Sequence, residues 1–496
     1  MNLLPLNIPP GVTNNGTELQ AAGRWYRSNL VRWSNGVLEP VGGWTEFIST
    51  QLEGTCRGIF AWRDLLGLRH AAFGTNTNLS AWSDRGPTQD ITPEDFNPGR
   101  EDSIYGAGYS FGPYSSGAYG TPSGAETQLL AAVSWQFANF GEDLVACAFS
   151  DGRLLRWSPG SDDPAAPIPN APERNRGVFV TPERHVVALA SDGVFNRVAW
   201  SDRENPEEWA PSSTNRAGDF DLATTGLLLT NVAVRGETLL LTSEDAHSMT
   251  FRGGEFVYGF ERLGSNCGCA SPQAAVAVDD FAVWMGRSGF FNWNGSVDSL
   301  PCDVEDYVYS DINLDQLAKV AAGANPVFEE VWWFYPSAQS VENDRYVVWN
   351  YRENIWYIGE LSRTAWFPPG VLMSPLATTP DGQVYRHEDG WTADGAPLTS
   401  ERFAEAAGLQ ISDTGGRLMV VKRMIPDERS QGETQMRFTL RNTPNGEARE
   451  VGPVSLSNYT DLRFTARQVG VRVEGAADAP WRAGLPRFEV TPGSRR

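Results

Sequence analysis

Lysine is almost missing from this 496-residue chain: of 40 basic side chains only Lys319 and Lys422 are lysines, and 38 are arginines. Neither lysine follows a glycine or precedes a serine or threonine, so a phosphate-cradling P-loop is excluded. Positive charge as a whole is short, with 61 Asp and Glu giving a formal charge of −21 and a pI of about 4.7. That is the reverse of the footprint of a protein that grips phosphates, so any nucleic acid it meets is not expected to be held tightly. Cysteine is scarce too: five residues (56, 147, 267, 269, 302) are an odd number and too few for a disulfide framework. They read as reduced and mostly packed. Cys267 and Cys269 are the only close pair, and no second pair or nearby histidine completes a zinc set, the nearest being His247. The four histidines, at 70, 185, 247 and 387, are scattered and read as packed or surface residues rather than catalytic bases. There is no apolar run of the roughly 18 residues needed to cross a membrane, and the opening Met1-Asn2-Leu3-Leu4-Pro5 lacks the basic start and long apolar core of a signal peptide. The expectation is a soluble protein, cytoplasmic when made. With 41% apolar residues, 20% charged and 50 Gly, disorder, collagen and coiled coil are also excluded.

Helical periodicity is nearly absent, with candidates only at Leu314 to Ala322 and near Ser400 to Ala407. What recurs is a strand, a polar tight turn and a second strand ending in an aromatic. One copy runs from Leu144 through Ser150-Asp151-Gly152 to Trp157, and another from Val186 through Ser191-Asp192-Gly193 to Trp200. Others run from Leu239 to Phe251, Phe281 to Trp293, Glu330 to Trp349 and Leu376 to Tyr385, with a weaker copy from His70 to Trp82. The turns are about 41, 53, 43, 50 and 43 residues apart, the 40 to 50 residues of one propeller blade. A lone hairpin cannot bury its apolar face, whereas blades packed face to face around an axis can. The fold class expected is therefore all-β, a β-propeller of about seven blades (six to eight), with an additional C-terminal β-sandwich-like domain. The 18 Trp, 14 Tyr and 24 Phe supply the bulk that blade interfaces need. Trp157, Trp200 and Trp293, which close equivalent hairpins, are expected to be buried between blades.

The expected organisation is a segment at 1–50 that joins or closes the propeller, the propeller at 51–400, and a β-rich domain at 408–496. The last contains alternating stretches such as Met436 to Leu440, Leu462 to Ala466, Val469 to Val473 and Arg487 to Val490. They read as a separate small sandwich, with the alternative that some of them complete the propeller. Residues 103–124 are rich in Tyr, Gly and Ser and are expected to form a long loop projecting from the ring.

Motifs that carry chemistry are few. Gly108-Tyr109-Ser110-Phe111-Gly112 has the spacing of a hydrolase nucleophile elbow, but it lies in a Gly/Tyr-rich stretch without the strand–turn–helix setting that makes such a serine work. Ser150-Asp151-Gly152 approaches the Asp box of sialidase propellers, yet its three residues are contiguous, so only the turn chemistry is shared. A sialidase also needs an arginine triad and a tyrosine nucleophile backed by a carboxylate, which the sequence leaves open. Asp303-Val-Glu305-Asp306 and Glu204-Asn-Pro-Glu207-Glu208 lack the spacing and central glycine of an EF-hand and read as solvated faces. Glycosylation patterns such as those at Asn15, Asn294 and Asn458 are chance matches without secretion. No catalytic residue, cofactor-binding residue or metal ligand is assigned, and no cofactor is expected.

Several segments together resemble the tail nozzle, or packaged-DNA stabilisation, proteins of short-tailed bacteriophages. They are Gly23-Arg-Trp-Tyr-Arg-Ser-Asn-Leu-Val-Arg-Trp33 with Leu38 to Trp44, the Tyr/Gly loop followed by Phe140 to Ala146, Val198 to Arg203 with Asn205 to Trp209, Gly289-Phe-Phe with Leu300-Pro-Cys302, and the terminal stretch from Trp481-Arg482 to Arg496. The resemblance spans nearly the whole chain and is one of pattern and order. It implies a non-enzymatic virion protein of the phage tail, made in the host cytoplasm. In that family six copies form a ring below the adaptor, or head-to-tail connector, which extends the portal channel and retains packaged DNA until ejection. The partners implied are other copies of the chain in a hexamer, the adaptor, tail components such as fibres or needle, and passing DNA that is not tightly bound. No membrane insertion is expected. The acidic balance agrees, because a negative wall keeps phosphates at the axis of a channel. The alternative reading is a propeller glycosidase or a glycan-binding tail component.

Overall fold

The computed structural model describes residues 3–106, 128–254, 256–410, 417–427, 432–443, 446–456 and 459–493. Seven antiparallel sheets of four strands follow one another along the chain. We number them blades 1 to 7: residues 56–90, 135–167, 177–221, 228–265, 275–300, 321–360 and 365–387. Blade 7 takes its fourth strand from far upstream, where Trp44–Glu46 pairs antiparallel with Val384–His387. The first strand of each blade packs on the first strand of the next, and Ala365–Phe367 of blade 7 returns against Cys56–Arg63 of blade 1. The ring is closed, and the architecture is a seven-bladed β-propeller with a β-sandwich attached.

The strand–turn–strand repeats of the sequence are the second and third strands of each blade. The second strands have a neighbouring blade on either side, and Asp143–Ala148 and Glu330–Tyr335 are buried along their whole length, which is why they read as continuous apolar runs. Indoles tie the blades together. Trp62 Nε1 of blade 1 donates to the Glu142 carbonyl of blade 2 at 2.8 Å, Trp135 of blade 2 donates to Thr75 of blade 1 at 2.8 Å, and Trp333 of blade 6 reaches back to Ala274 at 3.0 Å. Trp157, Trp200 and Trp293 are buried, at 5, 7 and 4% exposure. Trp157 packs with Trp62 and Leu79 of blade 1, and Trp200 lies 5.3 Å from the Tyr258 ring of blade 4. The packing leaves no room for a side chain at Gly323 on the first strand of blade 6, where a Cβ would stand 1.8 Å from Trp366 of blade 7.

Two sheets form the sandwich, and both borrow strands from the start of the chain. Leu3–Pro5 joins Arg487–Pro492, Met419–Ile425 and Thr460–Ala466, while Trp25–Asn29 joins Phe403–Leu409, Gln468–Gly475, Thr434–Arg441 and Arg449–Ser455. Phe438 is the hub of its core, 5.2 Å from Phe464 and 5.9 Å from Phe488. The sandwich shares one apolar cluster with blades 5 and 6, and Ser28 Oγ donates to the Ile358 carbonyl across the joint. Among the described residues no C-terminal strand completes the propeller; that place belongs to Trp44–Glu46.

Both helix expectations give way. Leu314–Lys319 is a short 3-10 turn that leads into the strand Ala321–Asn325, and Thr399–Glu401 is another that leads into Phe403–Leu409. Ala404 and Ala406 face inward from that strand, so the alternation of small and polar residues serves a sheet. The α-helix found among the described residues is Glu305–Asp311, of which only Val308 is buried. Of the Tyr/Gly stretch, Ile104–Gly106 and Gln128–Leu130 pair as a two-stranded ribbon, and residues 107–127, with Ser110, lie outside the described residues.

Candidate functional site

In a four-stranded antiparallel blade the turn between the second and third strands lies at the same end as the connection to the next blade. These segments form one face of the ring, the crossover face, and most of the unusual polar chemistry collects there.

The axis is not open at this face. Gln273, just before blade 5, donates from Nε2 to the Trp135 carbonyl of blade 2 at 2.5 Å, and Gln136 of blade 2 donates to the Leu229 carbonyl of blade 4 at 2.9 Å. Blades 2 and 5 stand three apart in a ring of seven, so the first of these bonds spans the axial space. Beside it lies a balanced ion network. The fully buried Lys319 ammonium donates to Asp102 at 2.5 Å, to Glu342 at 2.6 Å and to the Val341 carbonyl at 2.7 Å, while Arg57 makes a fork onto Glu342 and reaches the Glu101 carbonyl. Gln316 exchanges two hydrogen bonds with the backbone of Ser103, at 2.9 and 2.7 Å. Tyr105, on the ribbon, donates to Asp315 at 2.6 Å, which holds its phenol above the usual value. The base of the Tyr/Gly segment is thereby fastened to the connection between blades 5 and 6.

A cleft of about 650 Å³ opens on the same face, beside the ribbon, between the connection leaving blade 1 and the turns of blades 2 and 3. A second hollow continues it, and Phe149, Ser150, Arg176 and Leu227 line both. Arg176 stacks with its guanidinium carbon 3.9 Å from the centre of the Phe149 ring. Its guanidinium has no carboxylate partner and no hydrogen bond among the described residues, and burial alone pulls its pKa down to about 10. Arg100 lines one half of the cleft and Arg174 the other. The one carboxylate on the walls, Asp151, is already engaged by Arg153 at 2.8 Å. Ser150-Asp151-Gly152 thus works as a turn, with Gly152 at a φ of +75° against the backbone of Arg174.

Other groups that catalysis could use are spent on structure. His70 meets Asp64 and stacks on Trp62, His185 bonds the Ser201 carbonyl, and His387 accepts from Arg363 Nε at 2.8 Å. His247 faces Asp245 at 3.2 Å, an acid–histidine pair of the kind found in triads, but among the described residues no serine or cysteine bonds its ring. Burial lowers the pKa of both His247 and His387. All five cysteines are buried without a disulfide, and burial pushes Cys56 up to about 11 and Cys269 to about 12, so neither is a thiolate near neutrality. The Tyr357 hydroxyl donates to Glu330, and both are fully buried behind Arg32. Among the described residues no group of three His, Cys, Asp or Glu is placed to hold a metal ion. Arg176 carries no sequence signal that separates it from 37 other arginines, since its isolation is a property of the fold.

No family model and no curated protein sequence matches the chain. Solved structures of similar shape include YCF48 bound to D1 peptide, at 9% identity and a TM-score of 0.40, covering 70% of this chain and 97% of that one. Virginiamycin B lyase from Staphylococcus aureus is similar at 8% identity and a TM-score of 0.43, covering 69% and 98%. A streptogramin B lyase stands at 9% and 0.43, covering 69% and 96%. Likenesses this distant say nothing of what the chain does.

Proposed function

We propose that this chain is a structural protein of a bacteriophage tail, a nozzle subunit whose copies form a ring, a hexamer on the family's pattern, that extends the portal–adaptor channel, retains packaged DNA and conducts it at ejection. The observation that carries the reading is where the family-like segments meet. Gly23 to Trp44, Gly289 to Phe291, Leu300 to Cys302 and Trp481-Arg482 are scattered in sequence and converge at the joint between sandwich and ring. Trp33 stands 5.8 Å from Tyr357, Phe290 is 4.8 Å from Trp356, Trp356 Nε1 donates to the Pro301 carbonyl, and Arg482 pairs with Glu39 at 2.8 Å. The other family-like segments, Phe140 to Ala146 and Val198 to Trp209, belong to blades 2 and 3.

The charge of −21 supports the same reading, since a surface that repels phosphate suits a conduit. The axis of each propeller is crossed by hydrogen bonds, so the bore of such a nozzle is the space between copies. A non-enzymatic role is supported by the fate of the histidines and cysteines among the described residues, which are consumed by packing. The test is assembly: purified chain, alone and with the adaptor protein, viewed by negative-stain electron microscopy and weighed by mass photometry. Rings, alone or on the adaptor, are the expected result. A chain that stays monomeric with the adaptor, or that turns over glycans, overturns the reading in favour of a glycosidase or glycan-binding component.

A further inference from the structure

Arg176 stands apart on the crossover face: the fully buried Arg363 also lacks a carboxylate but donates to His387 and to the Ser362 carbonyl, whereas the Arg176 guanidinium has no hydrogen-bond partner among the described residues. Lys319 and Arg57 on that face are matched by Asp102 and Glu342. Arg176 is not, in a chain with a large surplus of carboxylates. Its guanidinium is partly buried and gives up part of its water without gaining a partner, which costs free energy and leaves its nitrogens accessible to a ligand that would repay it. Its position is also particular. It sits at the waist shared by the two halves of the cleft, its plane fixed by Phe149, with Arg100 at one end and Arg174 at the other. Part of the wall around it is apolar, built by Leu129, Leu130, Val133 and Leu227, and the rest is polar, including Asn97 and Ser150.

We propose that this cleft binds an acidic peptide segment of a protein partner, with one carboxylate held by the Arg176 fork and its apolar neighbours laid along Leu129, Val133 and Leu227. A planar, pre-oriented guanidinium suits the two oxygens of a carboxylate. The apolar part of the wall suits side chains flanking that carboxylate in a peptide, and offers nothing to the hydrated sugars of a nucleic acid backbone. The remaining surface is acidic and repels a polyanion, whereas one or two carboxylates see only the local cations. This inference does not rest on the tail reading, because a cleft of this kind takes the same ligand in any host protein.

The experiment passes a random hexapeptide library over the immobilised full-length protein and sequences what is retained. The expected pool is enriched about tenfold or more in peptides with Asp or Glu between apolar residues, the factor that one charge-assisted hydrogen-bond pair supplies. Arg176→Ala should remove the preference, and Arg176→Lys should keep part of it, because the charge remains and the fork is lost. Arg235→Ala, on an exposed turn of blade 4, should leave it unchanged, and Phe149→Leu serves as a second probe that frees the guanidinium without deleting it. Thermal midpoints matched to the unsubstituted protein identify variants that fold. A pool without acidic enrichment, an enrichment that survives Arg176→Ala, or no retention overturns the proposal. So does a short oligo-dT that binds through Arg176 and displaces the retained peptides, which would make the site one for nucleic acid. Failure here leaves ring assembly untouched, and failure to assemble leaves peptide capture untouched.

Discussion

Replacing Arg32 with methionine should be among the most costly single changes in the molecule away from the large core side chains. Arg32 lies on a short hairpin, Val31–Ser34 with Val37–Pro40, that wedges between sandwich and ring. Its side chain is 2% exposed and forks onto Glu330 of blade 6 at 2.8 and 3.1 Å, while its other edge pairs with Glu388 beyond blade 7. Glu330 is fully buried and accepts further hydrogen bonds from Tyr357 and Trp332. The cluster holds one cation and two anions. Arg32→Met keeps apolar bulk over Phe328 but leaves the buried Glu330 facing the partly exposed Glu388 without a cation, and stripping one partner from a buried ion pair costs about 3–5 kcal/mol. Glu330→Gln removes the surplus charge instead and leaves Arg32 balanced by Glu388, so its loss should be smaller. The deficit should also depend on pH. Burial already holds the Glu330 carboxyl above its usual value against the opposing pull of Arg32, and deleting Arg32 raises it further. A carboxyl whose folded pKa is raised stabilises the fold while protonated and loses that contribution as pH rises through the folded value. The deficit of Arg32→Met against the unsubstituted protein should therefore be larger near about pH 8 than near about pH 5. Urea unfolding followed by tryptophan fluorescence at both pH values is the assay. A deficit under about 1 kcal/mol, or one equal at both pH values, refutes the argument that an unpaired buried charge sets the cost.

Truncating Trp157, Trp200 or Trp293 to alanine should cost about 3–5 kcal/mol each by the same assay, because each fills a seam between blades; losses under about 1 kcal/mol would place them at the surface. His387 is held well below its usual pKa by burial and by Arg363, so the unfolded chain takes up a proton that the folded one refuses. Stability should fall as pH drops below the ordinary histidine value of 6.5, and His387→Gln should flatten that slope in thermal scans. Iodoacetamide at mildly alkaline pH should label none of the five cysteines in the native protein and all of them in urea, as mass spectrometry would read; rapid native labelling would contradict their burial.

Much of the ring was legible because its central strands announce themselves. Glu330-Val-Trp-Trp-Phe-Tyr335 and Phe281-Ala-Val-Trp-Met285 are apolar on both faces, and the turns after them are polar and glycine-rich, so hairpin and spacing could be read without alignment. The strands at blade edges were silent. Trp44–Glu46 is three residues long and half exposed, and nothing local says that its partner is Val384–His387. The helix Glu305–Asp311 buries one residue, too few to make a periodic stripe. The sandwich strands of the C-terminal region alternate cleanly, whereas Leu3–Pro5 is exposed throughout and Trp25–Asn29 carries a bulge, which hides the pattern. The cleft was illegible for another reason. Which arginines lack a counter-charge is decided by residues brought together from different blades, and a composition of 38 arginines conceals it.

The late partner of Trp44–Glu46 bears on how the chain is made and how it yields. On the ribosome this strand emerges early and must wait, with its edge unpaired, until blade 7 has been synthesised. During that interval Leu3–Pro5 and Trp25–Asn29 lack their sheet partners as well, so the first fifty residues are the natural place for a chaperone, or for mispairing between nascent chains. Once the clasp is shut, a force that tries to widen the ring has to shear the ladder between Thr45 and Arg386 and pull the Trp44 indole off the His387 ring, 5.3 Å away, before any two blades can part. The molecule should thus open first at the seam where its beginning meets its end.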